Sequence, residues 1–318
     1  MKISVIIPVR NEEGSIRALL DSLLNQTLKP TEIVITDGGS TDTTAAIISE
    51  YAKREVPIRI LTEQGALPGR GRNLAAAHAA NEWLAFIDAG TRPQPTWLEF
   101  LAQRVQPQSE VDVVYGSYEP VTDTLFKRCS VMAYVPPPIG LEGRPRSVVS
   151  VLMKRSVWQT VGGFPEDLRS AEDLLFMNKI EQASFRIANA PDAVVHWQVQ
   201  ATPWLTFKRF VTYARNNMRA GLWRQWQAPI FKRYGLLMVS ALPAIKFGVR
   251  WLLVPLLLFV AMLTARAVVA IWRNRVCYPG SILQNTIRLL LLAPLIAMLD
   301  AATTIGTLQW ALKDKLDL

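Results

Sequence analysis

Cysteine is scarce in this sequence of 318 residues, where Cys129 and Cys277 lie about 150 positions apart. Two such distant cysteines exclude a disulfide framework and lack metal-ligand spacing, so each is interpreted as a packing or surface residue. The N-terminus also has no charged segment followed by a long apolar run and a small-residue cleavage site, the pattern of a secretory signal. We therefore expect the first part of the chain to be cytoplasmic.

Acidic residues are almost missing from the last third of the chain. Residues 201–318 hold 15 Lys and Arg but only 3 Asp and Glu, a net charge of +12. Nine of these cations lie between Lys208 and Arg250, a stretch without a single acid. Residues 1–200 are close to neutral, with 20 basic and 23 acidic side chains. This asymmetry predicts a soluble domain joined to a segment that binds an anionic membrane surface.

The first 120 residues alternate between short β-rich runs and longer segments with apolar residues at helical spacing. Strands are predicted at residues 3–9, 32–36, 58–62, 83–87 and 111–115. Helices are predicted at residues 13–26, 43–54, 72–80 and 95–105. Several strands are apolar nearly throughout, as expected where both sheet faces are covered. The pattern predicts the α/β class, with a mostly parallel sheet of βαβ units flanked by helices.

The next segment is less regular. Residues 134–145 contain four prolines and two glycines and are predicted to form a mobile loop. Further strands are predicted at residues 148–153, 185–188 and 193–199, and a helix at residues 172–182. About 200 residues suffice for one well-buried α/β core. The first domain is therefore predicted to cover residues 1–200.

The tail begins with aromatic and basic side chains interleaved over residues 203–226. This mixture is typical of a helix lying in the lipid headgroup layer, so residues 201–250 are predicted to form basic amphipathic helices at a membrane interface. Residues 236–244 are predicted to add a half-buried helix. The same mixture occurs in proteins that bind nucleic acid. The apolar runs that follow favour the membrane, and no nucleic-acid partner is expected.

Two stretches of about 20 mostly apolar residues follow, at 251–272 and 289–311. They match the hydrocarbon thickness of a bilayer and predict a two-helix anchor over residues 251–318, at the inner or plasma membrane. The loop between them carries three cations: Arg273, Arg275 and Arg288. These cations conflict with the positive-inside rule. An alternative, in which one or both segments are re-entrant or interfacial, stays open.

Polar or glycine-rich segments follow three of the predicted strands. They are Pro8-Val9-Arg10-Asn11-Glu12, Asp37-Gly38-Gly39-Ser40 and Asp88-Ala89-Gly90. In open parallel α/β sheets the ligand crevice lies beyond the carboxyl ends of the strands. We therefore expect the chemistry of the protein at this edge of the sheet.

Six short motifs occur in order along the first 200 residues. They are Ser4-Val5-Ile6-Ile7-Pro8-Val9-Arg10-Asn11-Glu12-Glu13, Ile35-Thr36-Asp37-Gly38-Gly39-Ser40-Thr41-Asp42-Thr43-Thr44, Gly71-Arg72-Asn73, Phe86-Ile87-Asp88, Gly162-Gly163-Phe164 and Glu172-Asp173. Together they resemble the family 2 glycosyltransferases. The resemblance implies a glycosyltransferase A fold, a nucleotide-sugar donor, a divalent metal (Mg²⁺ or Mn²⁺) and inversion at the anomeric carbon.

The resemblance also implies which residues bind the donor. Asp37 would accept hydrogen bonds from the nucleobase or ribose, although Asp37-Gly38-Gly39-Ser40 alone is also typical of a turn and helix cap. The residues assigned to donor binding are Pro8, Arg10, Glu12, Asp37, Gly38, Arg70, Arg72, Asn73 and Asp88. From their chemistry alone, Arg70 and Arg72 would partly neutralise the leaving diphosphate where metal assistance is weak, since guanidinium groups match its geometry.

The metal-binding motif departs from the family pattern. The sequence reads Asp88-Ala89-Gly90 where the family has Asp-x-Asp, so the second carboxylate is missing. Mg²⁺ accepts few protein ligands when phosphates and water complete its octahedron, so Asp88 alone is expected to suffice. His196 is a candidate further metal ligand, with a packed or hydrogen-bonded histidine as the alternative.

The catalytic candidates are Glu172 and Asp173. The resemblance places the catalytic carboxylate in this pair, and Asp173 is our candidate general base. At the start of a predicted helix, the helix dipole favours its ionised form. Helix capping is the alternative role.

The acceptor is expected to be a lipid or a lipid-linked molecule, because the predicted membrane helices hold the chain at a bilayer. The Gln-x-x-Arg-Trp motif of processive family members is missing, which favours transfer of one sugar per encounter. Two rivals stay open: an inactive nucleotide-sugar-binding membrane scaffold, suggested by the broken metal motif, and a nucleotidyltransferase. The latter would usually show a glycine-rich, lysine-containing phosphate loop near the N-terminus.

Overall fold

The computed structural model describes residues 1–52, 55–105, 110–139 and 143–314. The chain divides into two compact units. The first contains Met1–Val121 and Pro138–Gln198, and the second contains Thr122–Pro137 and Val199–Leu318. A short segment from the middle of the predicted 1–200 domain thus belongs to the second unit. Part of the predicted mobile loop, residues 140–142, lies outside the described residues.

The first unit contains, in its described residues, a sheet of eight strands with the order β3-β2-β1-β4-β7-β6-β8-β5. The strands are β1 (Ile3–Val9), β2 (Glu32–Asp37), β3 (Ile58–Thr62), β4 (Trp83–Phe86), β5 (Thr91–Pro93), β6 (Val113–Val121), β7 (Val151–Lys154) and β8 (Ile187–Gln198). The first four alternate with helices, as predicted. The two strands predicted at residues 185–188 and 193–199 form one strand, β8.

Seven helices precede residue 183 in the described part of the chain. They are α1 (Ile16–Leu24), α2 (Thr44–Tyr51), α3 (Pro68–His78), α4 (Trp97–Gln103), α5 (Leu125–Tyr134), α6 (Arg155–Thr160) and α7 (Glu172–Gln182). A 3₁₀ turn at Val148–Ser150 leads into β7. The bounds of α7 agree with the prediction, whereas α5 and α6 were not predicted.

The sheet is mixed. Strand β1 pairs in parallel with β2 and β4, and β2 pairs in parallel with β3. Strand β7 runs antiparallel to both β4 and β6, and β5 runs antiparallel to β8. Strand β6 pairs in parallel with β8, so the predicted mostly parallel sheet is confirmed, but the βαβ pattern does not extend past β4. Antiparallel neighbours need no crossover helix, so the alternation of strands and helices did not reveal them.

Both faces of the sheet are buried by helices. Ile7 and Ile35 belong to a core cluster on one face, whereas Ile6 and Val34 belong to the cluster on the other. All four side chains are fully buried. Successive strand residues point to opposite faces. This explains why β1 and β2 are apolar without alternation.

The second unit is helical. Besides α5, its helices are α8 (Pro203–Arg219), α9 (Trp223–Trp226), α10 (Ala228–Ala241), α11 (Pro243–Phe247), α12 (Leu253–Arg273) and α13 (Ile282–Gln309), with a 3₁₀ turn at Val249–Leu252 and a π turn at Trp310–Asp314. The core of this unit packs residues of α12 and α13, such as Ala267 and Leu292, around Cys129 of α5. Cys129 is therefore a packing residue, as predicted.

Two helices of the described chain are long and apolar enough to cross a membrane. They are Val249–Arg273, with a mean hydropathy of 2.4, and Ile282–Asp314, with a mean hydropathy of 1.9. Both include the predicted apolar stretches, and the second begins seven residues earlier than predicted because Ser281 and Gln284 form a capping box at its start. The predicted half-buried helix at residues 236–244 covers the end of α10 and the start of α11, where Leu236 and Met238 are exposed and Leu237 and Ala241 are half-buried.

Arg288 is not a solvent-facing cation of the loop that precedes α13. It is 4% exposed and donates hydrogen bonds to the carbonyl oxygens of Tyr278 and Pro279. Its charge therefore serves to close this loop. The conflict with the positive-inside rule is reduced to Arg273 and Arg275.

Candidate active site

The loops that follow β1 and β2 are tied together at the carboxyl edge of the sheet. Val9 and Asp37 are register partners, and Gly38 N donates to Val9 O at 2.8 Å. Beyond them, Thr41 N donates to Asn11 Oδ1 at 2.8 Å, and Thr43 Oγ1 donates to Glu13 Oε2 at 2.7 Å. These bonds give the polar loops a defined geometry where a ligand crevice is expected.

Asp37 is 3% exposed at the end of β2. Its Oδ1 accepts hydrogen bonds from both the amide and the hydroxyl of Ser40, each at 2.8 Å. The second carboxylate oxygen makes no hydrogen bond within the described residues. Asp37 therefore has a local capping role and also one oxygen available to a ligand.

The other predicted donor residues of the first two loops differ in their surroundings. Arg10 is exposed, and Pro8 packs against α3, where a Cβ built on Gly71 would lie 3.1 Å from Pro8 Cβ. Glu12 Oε2 accepts a hydrogen bond from Ser15 Oγ and lies 4.0 Å from a Cβ built on Gly90. The Glu12 carboxylate thus lies beside the position where the second carboxylate of Asp-x-Asp is missing.

A buried arginine bridges two carboxylates next to β4. Arg72 Nη2 donates to Asp88 Oδ1 at 2.7 Å, and Arg72 Nη1 donates to Glu172 Oε1 at 2.8 Å. The side chains of Arg72 and Glu172 are 4% and 5% exposed, whereas that of Asp88 is 42% exposed. Burial opposes the charge on Arg72, but attraction to Asp88 and Glu172 outweighs it and raises the pKa of the guanidinium. The arginine is therefore ionised, with its charge already balanced.

Asp173 lies beside this bridge in the first turn of α7. Its Oδ1 accepts a hydrogen bond from Leu174 N at 2.8 Å. Burial, and then repulsion by Glu172, raises the pKa of Asp173 from an ordinary 3.8 to about 6, and Asp88 adds to the rise. The residue before the helix, Ala171, has φ of 72°, in the left-handed region that non-glycine residues rarely adopt. A carboxylate with this pKa is suited to accept a proton near neutral pH.

Asn73 and Arg70 both contact the segment that precedes α7, and Arg70 also pairs with Glu63. Asn73 Nδ2 donates to Phe164 O at 2.9 Å, and Asn73 Oδ1 accepts from Phe164 N at 2.9 Å. Arg70 forms ion pairs with Glu63 at 2.8 Å and Glu166 at 3.2 Å. Asn73 thus holds the turn that leads to Asp173, a role that the Gly71-Arg72-Asn73 motif did not reveal.

His196 lies on β8 opposite Arg92 of β5. Its Nε2 is 3.5 Å from Gln94 Nε2, its one side-chain hydrogen-bond contact in the described chain. Within the described residues, no three His, Cys, Asp or Glu side chains are grouped to hold a metal ion. The role of His196 as a metal ligand stays a prediction.

The sequence did not predict the bridge formed by Arg72. Arg72 and Glu172 are 100 positions apart, and Asp88 lies 16 positions from Arg72. Asp88, Glu172 and Asp173 therefore form one electrostatic cluster, whereas Asp37 lies at the end of β2, across β1 from β4. Local motifs carry no signal for such a long-range ion pair.

Comparison with known proteins agrees with the motifs. Residues 4–140 match the family described as Glycosyl transferase family 2. The chain is 29% identical over 206 residues to the poly(ribitol-phosphate) beta-N-acetylglucosaminyltransferase TarS of Staphylococcus aureus, covering 62% of this chain and 35% of TarS. It is 27% identical over 201 residues to glycosyltransferase AglE of Haloferax volcanii, covering 60% of this chain and 65% of AglE. Residues 4–140 are thus similar to a family 2 glycosyltransferase domain, and the chain spans less than two thirds of either relative.

Solved structures share the fold. The mannosyltransferase PcManGT from Pyrobaculum calidifontis, in complex with GDP-Man and Mn²⁺, is 21% identical with a TM-score of 0.57, covering 99% of this chain and 88% of its own. Residues 1–349 of S. aureus TarS, in complex with UDP-GlcNAc, are 18% identical with a TM-score of 0.51, covering 93% and 91%. These likenesses confirm the predicted glycosyltransferase A fold.

Proposed function

We propose that this protein is a membrane-associated inverting glycosyltransferase that moves one sugar from a nucleotide-sugar donor to a lipid or lipid-linked acceptor. The observation that carries the proposal is Asp173, a carboxylate with a pKa of about 6 beside the Arg72 bridge to Asp88 and Glu172. An inverting displacement needs one such base on the acceptor side. The family 2 match over residues 4–140 supports glycosyl transfer as the reaction.

The donor would bind at the ends of β1 and β2. The oxygen of Asp37 that is not bonded to Ser40 would accept a hydrogen bond from the ribose or nucleobase. The backbone of Gly38 packs closely against Ala66, since a Cβ built on Gly38 would lie 2.7 Å from the carbonyl oxygen of Ala66. Exposed Arg10 would face the phosphates. Arg72 would act indirectly, because Asp88 and Glu172 already balance its charge, by holding these two carboxylates in place.

The transfer step would proceed by direct displacement. Asp173 would take the proton of the acceptor hydroxyl while the oxygen of that hydroxyl forms a bond to the anomeric carbon. The bond from that carbon to the diphosphate oxygen breaks, and the nucleoside diphosphate leaves with the electron pair. Glu172 would remain tied to Arg72 and support the position of its neighbour.

The residues present fit a divalent cation that has few protein ligands. Asp88 is half exposed and keeps one carboxylate oxygen outside its bond to Arg72, and the Glu12 carboxylate lies beside Gly90. Mg²⁺ or Mn²⁺ accepts carboxylate, phosphate and water oxygens. When bound, the metal would neutralise charge on the donor diphosphate. Asp88 would hold it, with either Glu12 or His196 as a candidate second ligand.

The membrane acceptor is supported by the second unit. Its two apolar helices, Val249–Arg273 and Ile282–Asp314, are long enough to cross a bilayer. On the described surface, α10 and α11 expose large apolar residues such as Met238 and Ile245, at 76% and 85% exposure. Exposed apolar patches of this kind mark membrane or partner surfaces. We place the protein at the inner or plasma membrane, with the first unit cytoplasmic.

A donor screen tests the proposal. The full chain is incubated with UDP-, GDP- and dTDP-sugars and membrane lipid extract, with and without Mg²⁺ or Mn²⁺. We expect one donor to release nucleoside diphosphate and give a lipid-soluble, sugar-labelled product. An inactive scaffold would bind a donor without releasing nucleoside diphosphate, and a nucleotidyltransferase would transfer the nucleotidyl group of the donor and release sugar 1-phosphate. Either outcome would reject the proposal.

The pH dependence of transfer should report Asp173. Because Asp173 must be ionised to act as a base, kcat/KM should rise with pH up to about 6 and then level, falling tenfold per unit below it. The raised pKa means that the folded state binds this proton more tightly than the unfolded chain. Its contribution to stability is therefore present below pH 3.8 and lost as the pH rises through about 6. A profile of kcat/KM against pH checks the first expectation, and thermal unfolding against pH checks the second. The control variant Asp192→Asn removes an exposed carboxylate and should show the same fall in kcat/KM below pH 6.

A further inference from the structure

A cavity lies beside a bulge in the sheet of the first unit. Tyr115 of β6 pairs with Asn189 of β8, whereas Ser117 pairs with Val194, so four residues of β8 stand opposite Gly116 alone. Bulges of this kind are common next to functional sites. The cavity has a volume of about 140 Å³. A protein cavity of about 150 Å³ holds a molecule as large as benzene, so this cavity can hold one small chemical group.

Two arginines line this cavity, Arg144 and Arg146, and no acid does so among the described residues. Each arginine is balanced by an acid outside the cavity. Arg144 Nη2 lies 3.0 Å from Glu119 Oε2, and Arg146 Nη1 lies 3.6 Å from Glu181 Oε1. The side chains of these acids are 44% and 55% exposed. Ion pairs with such exposed acids are weak, so an anion in the cavity can compete for both guanidinium groups.

Tyr115 adds a hydroxyl donor to the lining of the cavity. The residue is 2% exposed, and its Oη is buried without a hydrogen-bond partner in the described chain. Burial raises the pKa of this hydroxyl, so it keeps its proton at neutral pH. Arg146 Cζ lies 5.5 Å from the centroid of the Tyr115 ring, which brings the cation and the hydroxyl-bearing ring together. Buried polar groups are normally hydrogen-bonded, so this hydroxyl points to a ligand atom that accepts a hydrogen bond.

The cavity lies on the same face of the sheet as the candidate base. Tyr115 of β6 and Phe86 of β4 share one register partner on β7, the strand between them. Neighbouring strands are about 4.8 Å apart, so the backbone of Tyr115 lies about 10 Å from that of Phe86, two residues before Asp88. Tyr115 also belongs to one core cluster with Phe176 of α7, the helix that carries Asp173. One acceptor molecule can bridge a distance of this size.

We propose that the cavity lined by Tyr115, Arg144 and Arg146 is an acceptor subsite that binds a phosphate group. Guanidinium groups match phosphate oxygens with paired hydrogen bonds, and a further phosphate oxygen can accept the hydrogen bond of the tyrosine hydroxyl. The acceptor of the sugar would then be a phosphate-bearing molecule, whether the phosphate is carried by a lipid or by a water-soluble compound. This assignment to the acceptor rests on the proposed function, whereas binding of phosphate to the cavity does not require sugar transfer.

Binding is tested on the full chain in an uncharged detergent, without donor, by titration calorimetry with farnesyl phosphate, farnesol, glycerol 3-phosphate and glycerol. Tyr115→Phe removes only the hydroxyl and should weaken binding of the phosphate-bearing ligands about tenfold, as should Arg146→Gln. The control for the tyrosine is Tyr118→Phe, on the same strand but packed against the cluster on the other face. The control for the arginine is Arg186→Gln, which removes an exposed cation paired with Glu110. Both controls should change binding less than about twofold.

Folding is checked by thermal unfolding, where Tyr115→Phe should be at least as stable as the native chain because it removes a buried hydroxyl without a partner. Unchanged binding by Tyr115→Phe and Arg146→Gln, or binding of the phosphate-free ligands as tight as that of the phosphates, would overturn the site. Weakening by Arg10→Gln alone would move the phosphate to the donor site and overturn it as well. Tighter binding of farnesyl phosphate than of glycerol 3-phosphate supports the site with a lipid as the carrier, and the reverse supports it with a soluble carrier.

The assignment to the acceptor is tested in the transfer assay. Tyr115→Phe should raise the KM of the acceptor about tenfold and leave kcat unchanged, because the subsite binds a part of the acceptor that does not react. Weaker phosphate binding without a change in this KM would overturn the assignment to the acceptor. Failure of the native chain to release nucleoside diphosphate from any donor would reject the proposed function, and the calorimetric result is independent of that outcome.

Discussion

Replacing Asp173 by asparagine should abolish sugar transfer while leaving donor binding intact. Asparagine has nearly the same shape and can accept the hydrogen bond from Leu174 N, but it cannot take a proton from an acceptor hydroxyl. Loss of a positioned general base lowers turnover by about a hundred- to ten-thousandfold. The measurement is kcat for transfer, beside the Kd of the nucleotide sugar from calorimetry.

The control for this prediction is Glu181→Gln, which removes a half-exposed carboxylate from the same helix. It should leave both kcat and donor affinity within a factor of about two, because surface substitutions of this kind have small effects. Substantial turnover by Asp173→Asn would assign the base to another residue. Glu172 would be tested next, since its second oxygen is buried without a partner in the described chain.

Arg72→Met should destabilise the first unit strongly. Methionine keeps much of the side-chain volume but leaves the buried Glu172 carboxylate without its ion pair and frees Asp88. Removing one partner of a buried ion pair costs about 3–5 kcal/mol. Urea unfolding of the full chain in detergent, followed by tryptophan fluorescence, should show a lower midpoint for this unit.

Two variants separate the ion pair from general packing. Arg70→Met removes a half-exposed arginine two positions away and should cost about 1 kcal/mol or less, because exposed ion pairs contribute little. Adding Glu172→Gln to Arg72→Met should restore part of the lost stability by removing the unpaired charge. If Arg70→Met and Arg72→Met were equally destabilising, the bridge would not be the dominant contribution.

Local patterns predicted the first half of the sheet well. β1 and β3 have the predicted bounds, and α7 begins and ends as predicted. Each of these segments has an apolar pattern that identifies it without knowledge of its neighbours. Helix α5 was missed, because its buried face packs against α12 and α13, which lie far along the sequence.

The candidate site shows the same division. Strand ends indicated Asp37 and Asp88, because polar and glycine residues after buried strands mark the crevice of an α/β sheet. The resemblance to family 2 indicated Asp173. The partners of these residues were not apparent. Asn73 holds the Phe164 turn, and Arg72 is buried between two carboxylates. Their roles in donor binding stay predictions.

Periodicity and charge alone thus predicted an α/β domain followed by a basic, apolar tail, and short motifs alone revealed the resemblance to family 2, because these signals depend on residues close together in the chain. Tertiary structure alone showed that β7 runs antiparallel to β4, that Arg72 joins Asp88 to Glu172, and that Arg266 pairs with Asp300. Such pairings follow from how distant segments pack, and the strength of a charge interaction depends on the burial that packing creates.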